Sequence, residues 1–126
     1  MANRAKVSIV DLEHYKFFGA ARGSGKQTNL LATATLAAPG EGKRMRVVKV
    51  DASYSSSSTS GLLQIKSGAT VIFEKYIHGA GAHDFSDYGL PAININEAMS
   101  AELAAGGAGI VGTVTISGFS HPEPAS

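Results

Sequence analysis

The stretch Gly61–Ile77, GLLQIKSGATVIFEKYI, holds two short runs of branched and aromatic residues on either side of Ser67-Gly68-Ala69. Such side chains pack well on a pleated surface and favour extended backbone. The glycine between the runs supplies the positive φ that a tight hairpin turn needs. In the second arm Val71, Phe73 and Lys75 alternate with Ile72, Glu74 and Tyr76, a period of two. The segment therefore reads as a β-hairpin.

The flanking sequence repeats that period. Leu30, Ala32, Ala34 and Leu36 alternate with Leu31, Thr33 and Thr35, which predicts a strand from about Thr28. Pro39-Gly40-Glu41-Gly42 marks a turn. Lys43 to Ser53 follows as a strand, with Met45, Val47, Lys49 and Asp51 expected on one face and Arg44, Arg46, Val48, Val50 and Ala52 on the other. The imperfect alternation suggests a bulge or a change of environment along it. Tyr54 to Ser60 is polar and of low complexity and reads as an exposed loop. Beyond the hairpin, His78 to His83 reads as a flexible connection and Asp84–Tyr88 as a short strand closed by Gly89-Leu90-Pro91. Glu97–Ala105 has a helix-like composition. Its alternation favours a strand, because the strong strand at Ile110–Ile116 otherwise lacks a hairpin partner across Gly106–Gly109. Seven or eight short strands with turn signals about every ten residues predict an all-β antiparallel sandwich or barrel.

Composition narrows the function classes. A chain of 126 residues fits one domain, and 44% hydrophobic residues are enough for one core. That core rests on Val, Ile, Leu and Ala, since aromatics are 7% and Trp is absent. A net charge of +1 argues against a dedicated nucleic-acid binder. The absence of Cys excludes a disulfide scaffold and a thiolate zinc site. No apolar run approaches the ~18 residues needed to span a bilayer, so no membrane partner is expected. Asp11, Glu13 and His14 interrupt any signal-peptide core, so the chain is expected to be made in the cytoplasm or assembled there into something larger.

No motif carries catalysis. Gly23-Ser24-Gly25-Lys26-Gln27-Thr28 departs from a phosphate loop at Ala20 and at Gln27. His78, His83, Asp84 and Asp87 have metal-ligand chemistry, but glycines between them give no rigid presentation, and solvated loop residues or subunit contacts explain them better. No nucleophile elbow surrounds a serine, and no carboxylate pair stands out for sugar hydrolysis. The reading is of a protein that is not an enzyme and needs no cofactor. Residues 1–26 differ from the rest. Val7 and Ile9 lie in a short apolar run, Tyr15, Phe17 and Phe18 form an aromatic patch, and Gly19 to Lys26 reads as a basic glycine-rich linker. The segment is either an arm that docks on something or an edge strand with a loop. The basic stretch with Arg44 and Arg46 could meet an acidic partner, or could guard an edge strand against aggregation.

The second half resembles small virion structural proteins of tailed bacteriophages. The resemblance is carried by Gly61–Ile65, Gly68–Glu74, Phe85, Leu90-Pro91, Ala101–Ala105 and Gly109–Phe119. It implies a jelly-roll-like β-sandwich that decorates or cements a capsid. The implied partners are the major capsid protein or other virion proteins, and the implied location is the virion. A homo-oligomer, with a trimer favoured, would bury apolar area that a Trp-free core lacks. The expected organisation is an extended arm and linker at 1–26, a sandwich at 27–120 and a tail at 121–126. Candidate partner-binding residues are Val7, Ile9, Tyr15, Phe17, Phe18, Arg44, Arg46, His78 and His83. The competing reading is a carbohydrate- or cell-surface-binding module that stacks sugars on Tyr54, Tyr76 or Tyr88. An enzyme with a metal at His78 and His83 is the remaining alternative.

Overall fold

The computed structural model describes residues 19–56, 61–77 and 81–123, at 81–88 by backbone alone. Eight strands account for most of them: β1 (Gly19–Thr28), β2 (Ala32–Leu36), β3 (Lys43–Tyr54), β4 (Gly61–Ser67), β5 (Thr70–Ile77), β6 (Gly81–Pro91), β7 (Met99–Leu103) and β8 (Val111–Pro122). They form two sheets, ordered β1-β8-β3-β6 and β2-β7-β4-β5, with every pairing antiparallel. First pairs with eighth, second with seventh, third with sixth and fourth with fifth. That is the path of one long hairpin rolled up on itself, the eight-strand jelly roll. The expected antiparallel sandwich is present, and the Gly61–Ile77 hairpin is the tip of the roll. Its turn is Gly68-Ala69, with Gly68 at φ +59°.

The two sheets bury one face each. Leu36, Val47, Val50, Leu63, Ile65, Ile77, Met99, Leu103, Val114 and Ile116 are all exposed by 1% or less. Each such side chain contributes about 1.5–3 kcal/mol on leaving water. On β2, Ala32, Ala34 and Leu36 point in, as their spacing predicts, and Thr33 and Thr35 point out.

Several sequence expectations are corrected. Residues 19–26 are no linker. They are most of β1, paired residue for residue with β8 from Gly19 opposite Ser120 to Thr28 opposite Val111. The glycines serve close approach. A Cβ on Gly23 would lie 2.3 Å from the Thr35 carbonyl oxygen, and one on Gly25 would lie 2.1 Å from that of Thr33. β1 can therefore lie backbone-to-backbone against β2 and close that side of the sandwich. Leu30 is not part of β2 but sits in the turn between these strands, 62% exposed.

β3 carries the expected bulge, and its position changes the faces. Val47 lies opposite Gly118 and Lys49 opposite Ser117, so Val48 is the extra residue. Met45 and Val47 point in before it, and Val50, Ala52 and Tyr54 point in after it. Lys49 and Asp51 are thereby turned outward, against the expectation that they share a face with Met45. Tyr54 is not a loop residue. It closes β3, is 3% exposed, and donates its hydroxyl to the Ala104 carbonyl at 2.7 Å. Burial raises its pKa. Gly61 and Gly106 leave room for its ring, since a Cβ on either would come within 2.7 Å of it.

Glu97–Ala105 does contain a strand, β7, but not for the reason of hairpin pairing. β7 pairs with β2 and β4, while β8 lies in the other sheet between β1 and β3. The glycines at 106–109 make a crossing between sheets. His83 is not in a flexible connection but in β6, opposite Ala52. His121 and Pro122 are the end of β8, opposite Arg44 and Lys43, rather than a tail.

Candidate functional site

One end of the sandwich is built from the connection between β6 and β7, the turn between β4 and β5, and the start of β3. Residues 92–98 cross this end and are fastened at almost every step. Ala92 N–H donates to Met45 O at 2.9 Å and Asn96 N–H to Lys43 O at 2.7 Å. Asn96 sits at φ +56°, a conformation asparagine tolerates, and its side-chain oxygen accepts from Gly40 N–H at 2.9 Å. Ser67, only 1% exposed, accepts from Ile93 N–H at 2.8 Å and donates its hydroxyl to Glu97. The other Glu97 oxygen accepts from Asn94 Nδ2 at 3.1 Å. The Ser67 bond, and then the Asn94 bond, hold the Glu97 carboxyl below its ordinary pKa by favouring the charged form.

Arg44 completes the brace. It forms an ion pair with Glu123, and its Nη1 donates to the carbonyls of Ala92 and Ile93, the latter at 3.0 Å. What this scaffold presents is apolar. Ile93 and Ile95 are 50% and 44% exposed on a connection pinned by polar contacts. An exposed pair on a braced connection loses little conformational entropy when it is covered, which is the property of a docking point.

The sequence-predicted residues divide. Arg44 belongs to this end as a brace. Arg46 stands beside it on the outer face of the first sheet. Its Nε donates to His121 Nε2 at 2.7 Å, and its Nη1 donates to Gly89 O at 3.0 Å, tying β3 to both its neighbours. His121 Nε2 thus accepts, which leaves Nδ1 carrying the proton toward Pro122 O at 3.0 Å. Both guanidiniums are engaged within the chain. Val7, Ile9, Tyr15, Phe17, Phe18 and His78 lie outside the described residues, and His83 is placed only by its backbone in β6. The start of β1 is informative, because Gly19 is opposite Ser120, itself opposite Met45. β1 therefore begins at the end that carries Ile93 and Ile95. Sequence reasoning passed over those two residues. Alternation with Asn94 and Asn96 was their only mark, and it does not say which way a side chain faces.

The outer face of the second sheet is polar. Lys66 Nζ pairs with Glu102 Oε1 at 2.7 Å, and Gln64 donates to Glu74 at 3.1 Å. Tyr76, 64% exposed, stands opposite Leu62 at the margin of this face. Of the tyrosines proposed to stack on sugars, Tyr54 is buried and Tyr76 is available. Among the described residues no group of three His, Asp or Glu is placed to hold a metal ion.

No protein-family model matches the chain, and no curated protein matches it by sequence. Solved structures resemble the chain at low identity and with TM-scores under 0.5. The CBM36-1 domain of a multidomain xylanase from the hindgut metagenome of Trinervitermes trinervoides is 8% identical, with a TM-score of 0.46 over 82% of this chain and 77% of that one. PirA is 12% identical, with a TM-score of 0.45 over 78% of this chain and 93% of that one. The coat protein of Tobacco streak virus is 10% identical, with a TM-score of 0.34 over 88% of this chain and 90% of that one.

Proposed function

We propose that the protein is a structural component of a phage particle, attached through the end that carries Ile93 and Ile95, where β1 begins, together with residues 1–18. The observation that supports this reading is the convergence just described. A braced apolar pair, 50% and 44% exposed, lies where the segment with Val7, Ile9, Tyr15, Phe17 and Phe18 enters β1. The segment could add affinity by strand pairing on a neighbour, and the isoleucines by apolar contact. The partner in this reading is the major capsid protein or another virion subunit.

The test is co-sedimentation with particles that lack the protein. The full chain is expected to bind. A chain without residues 1–18, and separately the double variant Ile93→Asp/Ile95→Asp, should keep a native circular dichroism spectrum while attachment falls at least tenfold. Full attachment by both variants would overturn the proposal.

A second reading, a carbohydrate-binding module, has one specific observation in its favour: Tyr76 is 64% exposed on a polar sheet face. A glycan panel separates the readings, since this one requires saturable binding that Tyr76→Ala abolishes.

A further inference from the structure

Away from that end, the outer face of the first sheet carries an ordered cross-strand row. Arg22 on β1 lies opposite Ser117 on β8, which lies opposite Lys49 on β3. The next row is Ser24, Thr115 and Asp51. The rows border a depression of about 220 Å³ lined by Arg22, Lys49, Asp51, Thr115, Ile116 and Ser117. The Ile116 side chain is buried at 1% exposure, so this residue offers its backbone to the floor. Neighbouring strands lie ~4.8 Å apart, which puts the Arg22 and Lys49 backbones roughly 10 Å apart with Ser117 midway. Two long cationic side chains at that spacing can close on one small group above Ser117.

The charges are not spent elsewhere. Arg22 makes no hydrogen bond or ion pair among the described residues. Lys49 Nζ stands 3.8 Å from Asp51 Oδ1, and both side chains are about half exposed, so the pair is weak. The lining holds two cations and one carboxylate, with Asp84 on β6 opposite Asp51 in the next position of that row, and Ser117 and Thr115 add hydroxyl donors. The bulge at Val48 creates this arrangement. Without it, the phase of Met45 and Val47 would carry Lys49 and Asp51 into the core. Bulges serve in this way to re-aim side chains.

We propose that the depression binds a small tetrahedral oxyanion of the phosphate or sulfate type. Arg22 presents its planar fork, Lys49 a point charge, and Ser117 and Thr115 the hydroxyl donors. Asp51 positions the Lys49 ammonium and holds the affinity down. Guanidinium and ammonium donors bond oxyanions with a strength and direction that chloride does not match. The proposal is independent of the docking end, because none of its residues lies there.

The experiment is a titration of the labelled full chain, followed by amide resonances, with inorganic phosphate, O-phosphoserine and chloride at constant ionic strength. Saturable shifts centred on Ser117 and Thr115 are expected with inorganic phosphate. A matching response to O-phosphoserine would show that the site also accepts the group attached to a larger ligand, and no response would restrict it to the free ion. Arg22→Gln or Lys49→Gln should weaken binding roughly tenfold, the scale of one charge-assisted hydrogen bond. Lys26→Gln, which changes net charge equally on the same strand, should leave it within about twofold. Asp51→Asn should tighten it. The proposal is overturned if no saturation occurs, if chloride gives the same response, or if Lys26→Gln weakens binding as much as the other two.

Discussion

Glu97 shows how a single carboxylate holds an end of the sandwich. It accepts from the Ser67 hydroxyl and from Asn94, and Ser67 accepts in turn from Ile93 N–H. These bonds favour the ionised form, so the carboxyl titrates lower in the folded protein than in the unfolded chain. The sign of the pH effect follows. The contribution is complete above the unfolded carboxylate value of ~4.3 and is lost as pH falls through the lower folded value. Urea midpoints should therefore drop between pH 6 and pH 3, and Glu97→Gln should lower the midpoint at pH 6 and reduce its pH dependence. An unchanged slope in that variant would remove Glu97 from the brace. Arg44 and Arg46 teach a related lesson. Their positive charge was legible in the sequence, but a linear string does not show that carbonyls of Ala92, Ile93 and Gly89 occupy their donors.

At the scale of the element, β3 is decided by one residue. Val48 shifts the inward phase from Met45 and Val47 to Val50, Ala52 and Tyr54. Deleting Val48 should force Lys49 and Asp51 toward the core, where uncompensated charge is not tolerated. The expected outcome is loss of cooperative thermal unfolding, whereas Val48→Ala should keep the native transition, since the residue count is preserved. The broken alternation made a bulge legible in the sequence. Its position was not, because either phase leaves valines on both faces. β1 was hidden for a different reason. Gly23 and Gly25 carry the usual mark of a flexible linker, and their use depends on the Thr33 and Thr35 carbonyls of a strand met later in the chain. β7 was legible as a strand through Met99, Ala101 and Leu103, yet its partners were not. Adjacent strands often pair, and the jelly roll sends β7 and β8 to opposite sheets.

For the whole molecule, alternation and turn signals were enough to give an antiparallel sandwich or barrel, and local pattern placed the hairpin that proves to be its tip. The braced end that carries Ile93 and Ile95 was not legible, since it depends on which segments the roll brings together. Rolling also leaves the two long sides of the sandwich unequal. Along one, β1 rests against β2 through glycines; along the other, β5 and β6 have no comparable seam among the described residues. The molecule is therefore bound like a book, with a spine on the glycine side and a fore-edge at β5 and β6. Opening fluctuations should pivot about that spine. Native-state hydrogen exchange is expected to show β5 amides exchanging at least ~10-fold faster than those of β8, and equal protection would exclude the pivot. Such breathing would spare the β1–β8–β3 row that forms the basic depression. The glycines, read at first as the source of looseness, would then be the part of the chain that stays shut.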